Sequence, residues 1–60
     1  MSNFSQSELN SIRELVVGHQ TISSKLSSYA EQCQDQQIKQ MFSQASGQAQ
    51  RAAQNLLQML

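Results

Sequence analysis

The stretch SIRELVVGHQTISSKLSSYAEQC, residues 11–33, carries the pattern that decides the fold. Its apolar and amphipathic residues recur in alternating steps of three and four: Ile12, Leu15, His19, Ile22, Leu26, Tyr29 and Cys33. This spacing places them on one face of an α-helix for about six turns. A second row runs beside the first: Leu9, Val16, Ser23 and Ala30. The combined stripe is wider than one partner helix can cover.

The residues before this stretch predict where the first helix begins. Ser5 and Glu8 have the S-x-x-E spacing of a capping box, and Phe4 and Leu9 stand at the positions of a hydrophobic staple. We therefore expect helix 1 to span about residues 5–33, after a frayed end at residues 1–3.

A second helical stripe follows, out of phase with the first. Continuing the first stripe would require apolar residues near positions 37, 40 and 44, and all three hold Gln. The apolar residues that do follow are Ile38, Phe42, Ala45, Ala49, Ala52, Leu56 and Met59. This change of phase predicts a turn at about residues 33–35 and a second helix over about residues 36–59, with Asp35 as its N-cap.

The predicted fold is all-α: one domain, residues 1–60, forming an antiparallel two-helix hairpin. With so short a turn, facing residues have numbers that add to about 71, which pairs Tyr29 or Ala30 with Phe42, and Ile22 with Ala49. The bulky centre of helix 1 then faces the small centre of helix 2, and the helices can interdigitate.

A hairpin alone leaves one side of each stripe exposed to water, and such a patch marks an association site. We therefore expect a homodimer that forms a four-helix bundle. The predicted core and dimer interface comprises Leu9, Ile12, Leu15, Val16, His19, Ile22, Leu26, Tyr29, Ile38, Phe42, Ala45, Ala49, Ala52, Leu56 and Met59.

Composition excludes several classes of partner. The 60 residues carry no net charge, which argues against nucleic-acid binding, since phosphate recognition needs a concentrated basic surface. No apolar run is long enough to span a bilayer, and the first ten residues lack the pattern of a secretion signal, so we expect a cytoplasmic protein without membrane contact. One Cys and one His support neither an internal disulfide nor a structural zinc site.

Residues with catalytic potential are scarce, and we expect no enzyme, cofactor or metal site. Glu14 lies five residues from His19 on the outer face, so the Glu-x-x-His pattern of di-iron bundles is missing. His19 is either a metal ligand or pH switch, or a core histidine bonded to a carbonyl, to Ser23 or to its own mate. Cys33 has no base near it in sequence and is expected to be a small buried residue or an interchain crosslink.

Several short motifs resemble a known family. They are Glu8-Leu9, Leu15-Val16, the Asp35, Ile38 and Lys39 spacing, and a Gln- and Ala-rich end from Gln48 to Leu57. Together they resemble the small helical-hairpin proteins related to spore coat protein F of endospore-forming bacteria, which are similar to half of a ferritin-like bundle. The chain departs from that pattern at Gln36, where Pro is frequent, and lacks the second hairpin of longer relatives.

The resemblance implies a non-enzymatic structural protein of the sporulating cell or spore coat, with itself and other coat proteins as partners. A surface of 12 Gln and 10 Ser residues suits a protein that packs into an assembly. The alternative is a small dimeric adaptor that binds a partner helix in its groove.

Overall fold

The computed structural model describes residues 3–60, and the expected frayed end at Met1 and Ser2 lies outside the described residues. Within that range the chain forms two α-helices and no strand, α1 over Gln6–Gln32 and α2 over Gln36–Met59. The helices pack side by side along their length. The all-α hairpin is thereby confirmed.

The predicted capping box at the start of α1 is present. Ser5 has extended backbone angles, φ −67° and ψ 165°, and its hydroxyl accepts from the Glu8 amide at 3.1 Å. The Glu8 carboxylate accepts in return from the Ser5 amide at 2.8 Å. This bond, with help from the Ser5 hydroxyl, lowers the pKa of Glu8 below its ordinary value.

Residues 33–35 connect the helices without a glycine. Cys33 ends α1, and its amide donates to the carbonyls of Tyr29 and Ala30. Asp35 is the N-cap of α2, as predicted, because its Oδ1 accepts from the amides of Gln37 and Ile38 at 2.9 and 3.1 Å. Both end residues have negative φ and extended ψ, so the turn needs no left-handed residue.

The helices meet along a row of mostly small residues, which we call the seam. It comprises the buried residues Ile12, Val16, Ser23, Ala30, Ser46, Ala49 and Ala53. Ile12, Val16 and Ala53 form its apolar cluster, against which Phe4 and Leu56 pack from the side. The second row of the sequence pattern therefore supplies most of the contact between the helices.

Hydroxyl groups join the helices at the middle of the seam. The Ser23 hydroxyl donates to the Ser46 carbonyl at 3.0 Å, and the Ser46 hydroxyl donates to the Ser23 carbonyl at 2.9 Å. Ser27 lies 2.7 Å from the Ser46 hydroxyl and donates to it, since the Ser46 proton is already engaged. Only short side chains let a hydroxyl reach the opposite backbone, so these bonds hold the helices close and set their register.

The serine pair corrects the predicted register at the centre of the hairpin. Ser23 and Ser46 have numbers that add to 69, and Val16 and Ala53 of the apolar cluster give the same sum. The sum of 71 holds near the turn, where the rings of Tyr29 and Phe42 are in contact. The shift arises because Ser23, and not its neighbour Ile22, faces α2 at the middle of the seam.

The hairpin is a rod and not a globule. Its Cα atoms extend over 46 × 15 × 10 Å, and the radius of gyration is 14.2 Å, against about 10 Å for a compact chain of this length. Two helices in one layer have two long sides, and neither side is covered by another element of residues 3–60.

Candidate assembly surface

The seam divides the hairpin into two long sides. The residues next to each seam residue in sequence determine whether a side is apolar or polar. A step of one residue turns a helix by about 100°. The two helices are antiparallel, and their seam residues point towards each other. For this reason the residues that directly precede seam residues lie on the same side of the hairpin in both helices. The residues that directly follow seam residues lie on the other side.

One side is apolar in both helices. Leu15, Ile22 and Tyr29 directly precede the seam residues Val16, Ser23 and Ala30. They are 50, 44 and 47% exposed, whereas Val16 is 6% exposed. We use the name apolar face for Leu15, His19, Ile22, Leu26 and Tyr29 of α1 with Ile38, Phe42, Ala45, Ala52, Leu56 and Met59 of α2. Met41, which is 63% exposed, borders this face one turn before Ala45.

Aromatic rings close the apolar face near the turn. The centroids of Tyr29 and Phe42 lie 5.8 Å apart with the ring planes tilted by 58°, a favourable aromatic geometry. Phe42 is half-buried, but about half of Tyr29 stays open to water. The aromatic pair thus forms the end of the apolar face near the turn, and the Tyr29 ring stays accessible to solvent.

His19 lies within the apolar face and is half-buried. Its Nδ1 is 2.7 Å from the carbonyl oxygen of Leu15, one turn earlier in α1. A carbonyl can only accept, so Nδ1 carries the proton, and in the neutral ring Nε2 is left as an acceptor. This is the carbonyl bond expected of a structural histidine, and it fixes the ring against its own helix.

A shallow depression of about 180 Å³ lies beside this histidine. Its walls are Glu14, Leu15, Gly18, His19 and Ile22, all from α1. Adding a Cβ to Gly18 would meet no atom within 4 Å, so the depression is open space next to the apolar face.

The opposite side of the hairpin is polar near the turn. A depression of about 310 Å³ there is lined by Ser27, Ala30, Glu31, Lys39 and Ser43, which come from both helices. The residues that follow the central seam positions are Ser24, Glu31, Gly47 and Gln54. Val17 and Leu57 are the apolar exceptions, and they lie towards the open end, away from the turn.

The described residues contain little that could perform chemistry. No group of three His, Cys, Asp or Glu side chains within residues 3–60 could hold a metal ion. Cys33 is half-buried as a free thiol at the end of α1. The hydroxyls of Ser23, Ser27 and Ser46 are engaged with one another and with carbonyls, so none is placed as a nucleophile.

The fifteen residues predicted as core or dimer interface separate into two groups and one outlier. Ile12, Val16 and Ala49 lie in the seam, and Leu9 is half-buried at the edge of α1. The remaining eleven are the members of the apolar face. The seam residues that the prediction left out are Ser23, Ala30, Ser46 and Ala53, whose signal is a spacing of seven within each helix.

No helix within residues 3–60 is both long and apolar enough to cross a bilayer.

Comparison with known proteins yields no relative: no family model, no curated protein and no solved structure matches the chain. The resemblance to the spore coat family stays a prediction.

Proposed function

We propose that this chain is a non-enzymatic assembly protein whose hairpin pairs with a second copy through the apolar face to form a four-helix bundle. The observation that carries the proposal is the half-exposed row of Leu15, Ile22 and Tyr29, continued across α2 by Ile38 and Met59. An apolar surface that extends over both helices is not needed to hold the hairpin together, because the seam does that. Such a contiguous surface is typical of an association site.

The isolated hairpin gains little from burial. Among the buried residues only Ala53 is completely covered, and no large side chain of residues 3–60 is fully buried. Burial of apolar area contributes roughly 25 cal/mol per Å², so half-exposed Leu, Ile and Tyr side chains leave much stabilisation unused. Pairing with a second copy would bury this surface and supply the core that a 60-residue chain lacks alone.

The size and charge of the face suit a second copy. The broad side of the hairpin measures 46 by 15 Å between Cα atoms, or about 700 Å². A standard interface buries about 800 Å² per partner, which is of the same order as this outline. The eleven residues of the face include no Asp, Glu, Lys or Arg, and Glu14 lies only at its edge, so the apolar centres of two copies can meet without like-charge repulsion.

For the biological setting we propose the spore coat or the cytoplasm of a sporulating bacterium, with other coat proteins as further partners. This part of the proposal rests on the sequence resemblance and on the uncharged Gln and Ser surface. It is tested by the time at which the gene is transcribed: expression confined to sporulation supports the setting, and uniform expression during growth contradicts it.

The dimer is tested by light scattering during size-exclusion chromatography. A pair of chains has twice the 6.7 kDa mass of one chain, about 13 kDa. We expect that mass at concentrations of tens of micromolar. A helical species that remains at 6.7 kDa would overturn the proposal and would favour an adaptor whose apolar face takes a helix of another protein.

A further inference from the structure

We infer that the two copies pair with their turns at the same end of the bundle, so that α1 of each copy lies over α2 of its partner. This inference rests on the proposed function, since it assigns the arrangement of that same apolar face. It follows from an asymmetry in side-chain size across the face.

The two helices contribute different shapes to the face. The α1 half carries Ile22 and Leu26 along its middle and forms a ridge. The α2 half carries Ala45 and Ala52 along its middle and forms a hollow, which the exposed Gln48 borders on its outer edge. Both halves become bulky towards their ends, so the contrast is confined to the central turns.

Two two-fold axes can bring apolar faces together. An axis across the hairpin stacks α1 on its own mate and α2 on its own mate, with the turns at opposite ends. An axis along the hairpin stacks α1 on the partner's α2, with the turns at the same end. Neighbouring helices are antiparallel in both arrangements, so helix dipoles do not discriminate between them.

Side-chain volume does discriminate. Stacking like on like sets ridge against ridge on one side of the bundle and hollow against hollow on the other. The first contact is overpacked, and the second leaves a void, and each lowers stability. With the turns at one end, every ridge meets a hollow and the layers can reach native packing density.

The register of the hairpin places the matching residues at the same height. Residues whose numbers add to about 70 are level with one another, as Ser23 with Ser46 and Tyr29 with Phe42 show. Leu26 is therefore level with Ala45, and an axis along the hairpin keeps it level with Ala45 of the partner subunit.

The single cysteine beside the turn allows a direct measurement. A nitroxide label on Cys33 places one spin in each copy, and pulsed dipolar spectroscopy measures the distance between the two spins. Helix axes in a bundle are about 8–10 Å apart, so turns at one end predict roughly 15–25 Å between labels. Turns at opposite ends predict a distance close to the 46 Å length of the hairpin.

Cys33 is half-buried, so a label on it could disturb the packing of the helices, and a control variant is needed. The C33S/Q34C variant carries the label on an exposed residue of the turn and should give a short distance as well. A distance near 40 Å or more in both proteins, with a mass of about 13 kDa, overturns the inference and leaves the dimer intact. A mass of 6.7 kDa without dipolar coupling overturns the proposed function instead.

Discussion

The two long sides of the hairpin flank the same seam. One side is formed by the residues directly before the seam residues, and the other by the residues directly after them. Before the seam residues Val16, Ser23 and Ala30 stand Leu15, Ile22 and Tyr29; after them stand Val17, Ser24 and Glu31. The hairpin buries only part of this apolar row, since Leu15, Ile22 and Tyr29 remain about half exposed. The contrast between the sides is therefore not explained by the packing of α1 against α2 and is what the proposed dimer would account for.

The two rows of the α1 stripe also differ in side-chain size. The seam uses small residues that bring the helices close, and hydroxyls that reach the opposite carbonyls. The apolar face uses larger side chains that would hold the helices apart if they stood in the seam. Close packing within the hairpin and exposed apolar area thus lie on adjacent rows of the same helix.

Charge insertion on each side gives the largest expected effect. Ile22→Glu places a carboxylate in the apolar face, and the two-fold symmetry buries it twice, so the dimer should weaken by at least about 100-fold. Gln20→Glu is the matched control, since Gln20 is exposed on the opposite side of α1. Sedimentation equilibrium measures both dissociation constants.

Equal dissociation constants for the two glutamate variants would remove the distinction between the sides. A Gln20→Glu dimer weaker than the Ile22→Glu dimer would place the interface on the polar side.

The serine pair tests whether the seam is independent of either side. Ser46→Ala removes a bond to the Ser23 carbonyl and the acceptor of Ser27, and should lower the free energy of unfolding by about 1–2 kcal/mol. Adding Ser23→Ala should cost less than it does alone, because the 3.1 Å contact between the Ser23 and Ser46 hydroxyls is already gone and only the bond from Ser23 to the Ser46 carbonyl remains to be lost. Urea unfolding followed by circular dichroism, at one protein concentration, measures the cycle.

Ser24→Ala provides the control for this cycle, because Ser24 is exposed beside Ser23 and outside the seam. It should change stability by less than about 0.5 kcal/mol. Strict additivity of the Ser23 and Ser46 substitutions would contradict the coupled arrangement of hydroxyls.

The two glycines offer a smaller comparison between the sides. Gly18 borders the apolar face, and Gly47 follows the seam residue Ser46 on the other side. An added Cβ meets nothing at Gly18 and only the Arg51 guanidinium, at 3.4 Å, at Gly47. Each Gly→Ala change should therefore raise the free energy of unfolding by about 0.5–1 kcal/mol, as thermal unfolding can show. Destabilisation by Gly18→Ala alone would mean that the partner copy covers Gly18.

The capping box gives the smallest effect and belongs to neither side. Since the Ser5 amide lowers the pKa of Glu8 in the folded chain, this carboxylate stabilises folding above the ordinary glutamate pKa of about 4.5. That contribution is lost as the pH falls through the lower, folded-state pKa. Glu8→Gln should reduce the acid sensitivity of thermal unfolding between about pH 5 and 3. Ser5→Ala should reduce it only in part, because alanine keeps the backbone amide that lowers the pKa of Glu8 the most. An unchanged pH profile in Glu8→Gln would contradict the capping role.

Local signals made much of this fold predictable. The capping box at Ser5 and the N-cap at Asp35 act through residues at most three positions away, so the sequence alone locates both helix starts. The change of phase after Cys33 likewise locates the turn. These features depend on chain-local geometry, which a linear sequence displays.

The assignment of rows to interfaces was not predictable in the same way. Both rows of α1 satisfy the helical period, and hydrophobicity favours Ile22 over Ser23 as the residue that faces α2. The choice depends on how closely the helices approach, and that distance depends on Ser46 and Ala53 in the other helix. A serine hydroxyl that donates a hydrogen bond to a carbonyl across the seam can be buried without loss of stability. Hydrophobicity scales do not include this bond and therefore rank serine as a surface residue.

The three-residue connection between α1 and α2 also bears on how the chain folds. Tyr29 and Phe42 are separated by 13 positions, Ser23 and Ser46 by 23, and Val16 and Ala53 by 37. Closing a longer loop costs more conformational entropy, so contacts near the turn form most readily. Each contact that forms shortens the loop that the next contact must close and lowers its entropy cost. The hairpin should therefore zip from the aromatic pair towards its open ends, with the low contact order typical of fast-folding helical proteins.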